Sequence, residues 1–290
     1  MGVTDHPGLE WLAASDDGRA WLDQLPSLIE GCAERWSLKI GEPFPYASAS
    51  LAMPGTLPDG SDAVLKLQYP HRESAYEADA LRVWDGDGAV LLLAHDSERH
   101  ALLLERCHPG TPLSEIDVDE AITVVTSLFP RLWKAASTPF RSVAEEAAWW
   151  ASYLPERWER LGEPFERSLL DAALSALDEL SPSQGEQVLV NQDLHADNIL
   201  RSSREPWLVI DPKPLVGERE SGVTAIVRGD ELGEGEHAIR YRLDRISGEL
   251  GLDRDRVRRW ALGQTVAWAM DEDEVFLHQI EVARSLVRSA

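Results

Sequence analysis

The stretch from Gln187 to Asp211 constrains this chain more than any other. Two short apolar runs, "QVLVN" and "WLVID", enclose a loop in which Asn191, Asp193, His195 and Asn198 crowd together. A plain hairpin closes with about two to five residues, so a longer polar connection between buried strands calls for another reason. The segment reads as strand, loop, strand, with Asp211 at the end of the second strand.

Within the loop, Asp193 is followed by Leu194 and, five positions on, by Asn198. That spacing fits the second half of a phosphoryl-transfer loop, Asp-Leu-x-x-x-Asn. One carboxylate can face an acceptor hydroxyl as base while an amide oxygen a turn away holds a metal ion. Asp211 is placed to supply a second oxygen ligand, which suits Mg²⁺. Two other readings stay open. Asn and Asp also populate turns by bonding their own backbone. Alternatively His195 and Asp197, with Asp193 and Asp211, form a hydrolytic metal site. His71, His95 and His108 lie far from that loop without ligand spacing. For His195, a hydrogen bond bracing the loop is the simpler role.

Phosphoryl transfer makes an independent demand: a Lys on an early strand, paired with a Glu on the following helix. "AVLKLQ" offers Lys66 in the middle of an apolar strand, where Lys is otherwise unfavourable. "RESAYEADALRVW" offers Glu73 and Glu77, one turn apart on one face. The alternative for Lys66 is a solvent-facing position on an edge strand.

Between these segments the chain changes character. Residues 9–36 read as helical, with Asp16 or Asp17 as N-cap and Pro26 as a break. From Phe44 to Glu105 come strand-like runs, "FPYASASLAM", "AVLKLQ", "AVLLLA" and "ALLLER", with "LPDGSD" as a turn. Ala75, Ala78, Leu81, Val83 and Trp84 form the apolar stripe of the one helix among them. After "CHPGTPL" the pattern is helical. Ile116 to Ala136 breaks at Pro130, and Ser142 and Glu145 have capping-box spacing. The prediction is an α+β fold with two lobes meeting at a cleft: residues 1–106, rich in β-structure, and residues 107–290, mainly helical.

Composition narrows the partners. Twenty-eight Lys and Arg against 51 Asp and Glu give a net charge of -23. Nucleic acid and anionic membrane need the opposite sign, so neither is expected. A cationic small molecule suits the charge, as does simple solubility. Cys32 and Cys107 match no metal spacing, which points to a reducing compartment. The N-terminus lacks a basic-then-apolar signal and no apolar run nears the ~20 residues that span a bilayer, so a cytoplasmic location is expected. Nothing in the sequence sets the oligomeric state.

The segments "DGSDAVLKLQYPHRESAYEADALRVWDGDGAV", "ALLLERCHPGTPL", "VLVNQDLHADNIL" and "WLVIDPKPLVGERE" together resemble the aminoglycoside and hydroxyurea antibiotic-resistance kinases, the group that includes streptomycin 6-phosphotransferases. The likeness runs from about Pro43 to Arg219 and more faintly beyond. It implies a protein-kinase-like bilobal fold and an ATP-dependent O-phosphotransferase. By position, Asp193 resembles the base, Asn198 and Asp211 the Mg²⁺ ligands, and Lys66 the phosphate-clamping lysine, with Glu77 its partner and Glu73 in reserve. "LLLERC" resembles the hinge, where backbone groups of Glu105 and Cys107 would meet adenine. Two departures stand out. Asn191-Gln192 replaces the commoner His-Gly before the base, so the loop must be braced differently. "PYASASLAM" has no glycine where a phosphate-covering loop often does, so Ala47, Ser48, Ala49 and Ser50 would approach the nucleotide.

For the acceptor, the helical part offers Glu145, Glu146, Trp149 and Trp150 on one helix and Trp268, Asp271, Glu272 and Asp273 near the end. Carboxylates with aromatics suit a sugar bearing guanidinium or ammonium groups. Equally, paired Trp residues belong in cores and acidic runs start helices. Streptomycin or a related aminocyclitol is the expected acceptor. Another sugar, polyol or hydroxylated amine is an alternative, as is a catalytically silent nucleotide-binding protein.

Overall fold

The computed structural model describes residues 6–289, so part of the N-terminal stretch read above for targeting signals lies outside the described residues. It divides into two compact units, Met1–Gly110 and Thr111–Ala290. Among the described residues no helix is long and apolar enough to cross a membrane. Both cysteines are free.

The first unit opens with a 3-10 helix, Pro7–Ala14, and a long helix α1, Asp16–Trp36. The N-cap is Ser15, whose hydroxyl accepts from Gly18 N at 3.0 Å. Pro26 does not break α1 as the sequence suggests, because Trp21, Leu22, Leu25 and Cys32 bury themselves on both sides of it. That burial outweighs the hydrogen bond proline removes. The strands β1 (Lys39–Ile40), β2 (Ser50–Thr56) and β3 (Asp62–Gln68) follow. After the helix α2 (Glu77–Trp84) come β4 (Leu92–Asp96) and β5 (Ala101–Glu105). The antiparallel sheet has the order β1-β2-β3-β5-β4. Its core is continuous with the N-terminal helices: Leu9, Leu12, Trp21 and Leu25 cluster with Leu51, Met53, Leu65 and Leu67.

α2 is shorter than its sequence pattern. Arg72 to Tyr76 form turns, and Ala78, Ala80, Leu81 and Trp84 supply the apolar part of the buried face, leaving Ala75 and Val83 exposed.

In the second unit, α3 (Val118–Leu132) and α4 (Val143–Arg160) precede α5 (Arg167–Leu180). The capping box of α4 is complete: Ser142 Oγ accepts from Glu145 N, and Glu145 Oε2 accepts from Ser142 N at 2.7 Å. The β-island is two small sheets rather than one hairpin. β6 (Gln187–Asn191) pairs with β9 (Pro214–Glu218), while β7 (Ile199–Arg201) pairs with β8 (Trp207–Val209). "QVLVN" and "WLVID" are therefore not partners. Short helices α6 (Arg219–Gly222) and α7 (Thr224–Arg228) lead into α8 (Gly235–Leu250), α9 (Arg254–Trp268) and α10 (Leu277–Arg288).

α9 is buried on nearly every face and packs on α5, α8 and α10. Gly263 makes the α5 contact possible, since a Cβ there would sit 2.6 Å from Leu177 Cδ2. The end of β9 is anchored to α9 by Glu218, only 1% exposed, which receives the Arg256 guanidinium at 2.7 and 2.9 Å and the Trp260 indole N–H.

Candidate active site

In the first unit the informative group is the pair predicted from strand and helix. Lys66, on β3, is 5% exposed, and its Nζ lies 2.9 and 2.6 Å from the two oxygens of Glu77 at the start of α2. Gln68 Nε2 donates to the same carboxylate at 2.6 Å. Glu77 is fully buried, so a compensated ion pair, not a solvent-facing lysine, occupies this strand. Glu73 lies in the turns before α2.

At the end of β5, Glu105 N donates to Leu91 O at 2.9 Å and Glu105 Oε2 accepts from Leu91 N at 3.0 Å. Cys107, partly buried, follows two residues later. Residues 41–49, which join β1 to β2, carry Ser48, and Ser50 opens β2.

In the second unit the polar loop and the turn after β8 are sewn together by Asn191. Its Oδ1 accepts from Asp193 N at 3.1 Å and from Lys213 N at 2.9 Å. Gln192 N donates to Lys213 O at 3.1 Å, and Ile210 N to Asn198 O at 2.9 Å. The brace that His-Gly would provide elsewhere is thus a side-chain amide at the end of β6. Asn198 Nδ2 donates to Asp193 O at 3.1 Å, which commits the nitrogen end of the amide to the loop. Asp211 adopts a left-handed backbone, φ 48°, a conformation Asp tolerates better than most residues, and its carboxylate contacts Lys213 Nζ. An amide oxygen and a carboxylate are hard donors of the kind Mg²⁺ takes.

Asp193 is set among cations. Arg228 lies 3.8 Å from its Oδ1. Burial pushes its carboxyl above the ordinary range, and His195, Lys213 and Arg228 oppose that rise. Arg228 also stacks 4.3 Å over the Trp268 ring and reaches Gln264 Oε1 at 3.4 Å. Gln264 Nε2 in turn donates to Gln192 O at 2.8 Å, tying α9 to the loop.

His195 braces the loop from the other side, with Nδ1 2.9 Å from Glu231 Oε1. Burial disfavours its charge, but the Glu231 hydrogen bond and the Asp193 carboxylate outweigh that and raise its pKa. His195, Asp197 and Glu231 have potential ligand atoms within 4.8 Å of one another, yet protein groups engage all three. His195 and Glu231 hold each other, and Asp197 takes the Ser114 hydroxyl.

The segment bearing Arg228 and Glu231 is fixed by Arg242, which sequence reasoning missed. Its buried guanidinium donates to the carbonyls of Val227 at 3.2 Å, Leu232 at 3.0 Å and Gly233 at 2.7 Å, and to that of Gly229. Burial lowers its pKa to about 10, so it stays charged at neutral pH. Arg228, Glu231, Arg242 and Gln264 lie on distant helices and loops with no local spacing to mark them.

The residues singled out for an acceptor have different surroundings, and Trp149 joins the end of α9 through Tyr153, whose hydroxyl donates to Ala267 O at 3.2 Å. Glu145 completes the α4 cap. Glu146 is fully buried, 3.2 Å from Arg141 Nε, and Trp150 is in the core. Trp149 is 41% exposed and meets Tyr153 edge-on at 5.0 Å. Asp271 is exposed in the loop before α10, its N–H bonded to Glu274 O at 2.9 Å. Glu272 and Asp273 are exposed in the same loop.

The chain is 40% identical to a hydroxyurea phosphotransferase of Kitasatospora aureofaciens, over 92% of this chain and 79% of that one. It is 36% identical to a streptomycin 6-kinase of Streptomyces griseus, over 95% and 94% of the two chains. Among solved structures it is similar in fold to an aminoglycoside phosphotransferase mutant in complex with ADP and hygromycin B. That match has TM-score 0.66 and 14% identity, over 90% of this chain and 98% of the other. A choline kinase from Streptococcus pneumoniae also scores 0.66, at 11% identity over 92% and 98%. The fold is protein-kinase-like, with a small sheet-bearing unit and a larger helical one. The family model for the aminoglycoside/hydroxyurea antibiotic resistance kinases matches residues 35–275, and the chain belongs to that family.

Proposed function

We propose that this protein transfers the γ-phosphoryl group of ATP to a hydroxyl of streptomycin or a related aminoglycoside. The observation that carries the reading is the Asn191 bridge, which holds the loop of Asp193 and Asn198 against the turn of Asp211. Relatives named as streptomycin 6-kinase and hydroxyurea phosphotransferase support it.

Asp193 accepts the acceptor hydroxyl proton as that oxygen bonds to the γ-phosphorus and the bond to the bridging oxygen of ADP breaks. Arg228 and Lys213 favour the ionised carboxylate that the base needs. Lys66, oriented by Glu77, holds the α and β phosphates, and backbone groups of Glu105 and Cys107 meet the adenine. Asn198 and Asp211 would hold Mg²⁺, which when bound neutralises charge on the phosphate oxygens. Ser48 and Ser50 border the phosphates from the β1–β2 loop.

Trp149, Trp268 and Asp271 are the remaining acceptor candidates, since Glu145 and Glu146 are engaged by the fold. An aromatic face and an exposed carboxylate suit a cationic acceptor. The cytoplasm, where ATP is available, is the proposed location.

Hydroxyurea itself is a second acceptor reading, favoured by the 40% identical relative. Purified protein with Mg²⁺-ATP is tested against streptomycin, other aminoglycosides, hydroxyurea, choline and simple polyols, with phosphorylated product read by mass spectrometry. Transfer to streptomycin supports the first reading. Transfer confined to hydroxyurea or to a polyol replaces the acceptor, and nucleotide binding without turnover on any compound replaces the activity with a silent one.

A further inference from the structure

In the loop that joins β1 to β2, the stretch Pro45–Ala49 has no glycine to let it fold close to a phosphate, the loop's one glycine being Gly41 at its start, yet the stretch is not left to itself. Three contacts from the N-terminal 3-10 helix and its cap reach it. His6, 6% exposed, accepts the Gly8 N–H on Nδ1 at 3.3 Å, which leaves the proton on Nε2, 2.9 Å from Phe44 O. Trp11 Nε1 donates to Ser48 O at 2.9 Å. Between them Gly8 lies against Ala47 so closely that a Cβ would stand 2.0 Å from the Ala47 carbonyl oxygen. The two hydrogen bonds end on backbone carbonyls of the loop, so they fix its path whatever its side chains are.

Trp11 is 55% exposed, so apolar burial does not account for its position. Its ring meets Tyr69 edge-on at 6.2 Å, and Tyr69 N donates to Ala49 O at 2.9 Å, a second tie to the same loop. The 3-10 helix is itself held by Leu9 and Leu12 in the core of the unit.

We infer that the segment His6–Trp11 is a positioning clamp for the β1–β2 loop, with Trp11, His6 and Gly8 setting the conformation in which Ala47, Ser48, Ala49 and Ser50 meet the nucleotide. A flexible loop pays an ordering entropy when it binds; a loop held in place from outside does not. Over Ala47–Ser50 the clamp takes the place of glycine: instead of a backbone free to adapt, this chain uses one already shaped. The inference rests on reading residues 44–50 as the nucleotide-covering loop.

Three variants of the full-length chain test it. Trp11→Phe keeps an aromatic ring, though a smaller one, and removes the N–H at a half-exposed position, and Gly8→Ala drives a methyl into the Ala47 carbonyl. Ala49→Asp, which puts a carboxylate into the loop itself, checks the loop reading. Amide hydrogen exchange over residues 44–50, KM for ATP, kcat and Tm are measured. Trp11→Phe is expected to speed exchange in the loop and raise KM for ATP about fivefold, the worth of one hydrogen bond, with kcat and Tm close to wild type. Gly8→Ala is expected to do the same more strongly. Wild-type exchange and KM in Trp11→Phe and Gly8→Ala, while Ala49→Asp raises KM, would overturn the clamp. An unchanged KM in Ala49→Asp would mean that the loop does not cover the nucleotide, and the inference would fall with that reading.

Discussion

Asn191 and Lys213 are joined by a 2.9 Å hydrogen bond from the Lys213 N–H to the Asn191 side-chain oxygen, and that oxygen also receives the Asp193 N–H. One amide therefore sets the spacing between the loop of the base and the turn of Asp211. Asn191→Ala leaves both N–H groups without their partner in a buried site, at a cost of about 1–3 kcal/mol each. We expect kcat to fall at least about tenfold, with ATP binding largely kept, because Lys66 and Glu77 are unaffected. Steady-state kinetics with nucleotide titration checks this.

The Lys66–Glu77 pair is buried at both ends. Removing Glu77 takes the carboxylate that receives the buried Lys66 ammonium through both its oxygens, so Glu77→Ala is expected to destabilise by roughly 3–5 kcal/mol. The double variant Lys66→Met/Glu77→Leu is expected to recover much of that stability while remaining inactive. Thermal unfolding of the two variants beside phosphate-transfer assays separates the stabilising role of the pair from its catalytic one.

Asp193 has its carboxyl raised by burial, against the pull of His195, Lys213 and Arg228. A folded pKa above the unfolded value means that stability is fully present below the unfolded pKa, ~3.9, and is lost as pH rises through the folded one. Once pH passes the folded pKa the ionised carboxylate therefore weakens the fold, and above that point Asp193→Asn should raise Tm, by about 2–4 °C for each kcal/mol relieved. The gain should shrink as pH falls towards 4, which unfolding curves across that range will test. Replacing Arg228 with Met removes a group that favours ionisation, so the acid limb of kcat/KM should move to higher pH.

Much of this site was legible because its signals are local. Asp193, Asn198 and Asp211 stand at fixed spacings beside apolar runs, and Lys66 is conspicuous in an apolar strand. Strand pairing was not legible: "QVLVN" and "WLVID" are equally apolar, and nothing in either says that its partner is "PLVGE" or "ILR". Residue type misled on α4, where Glu145 and Glu146 suit a cationic acceptor but serve a helix cap and a buried ion pair. Arg228, Glu231 and Arg242 reach the loop only through tertiary packing, which leaves no periodicity to read.

Glu218, in the segment "IDPKPLVGE", has a structural consequence. Glu218→Ala removes the acceptor of both the Arg256 guanidinium and the buried Trp260 indole N–H, leaving Arg256 with Ser183 O at 3.1 Å. A loss of about 1–3 kcal/mol is expected, the cost of a buried donor left without its acceptor, because Arg256 is partly exposed. Denaturant unfolding measures it, and a variant as stable as wild type would show that α9 does not depend on this anchor.

The most direct test of the account is phosphate transfer by wild type and Asp193→Asn, side by side, with Mg²⁺-ATP and streptomycin, alongside calorimetric titration of ATP. Wild type should form phosphorylated acceptor and ADP in equal amounts. Asp193→Asn should bind ATP with near wild-type affinity and lose transfer by about a hundredfold or more, the scale of a removed general base. Undiminished transfer by a folded Asp193→Asn would contradict the assignment of the base and with it the reading of the loop.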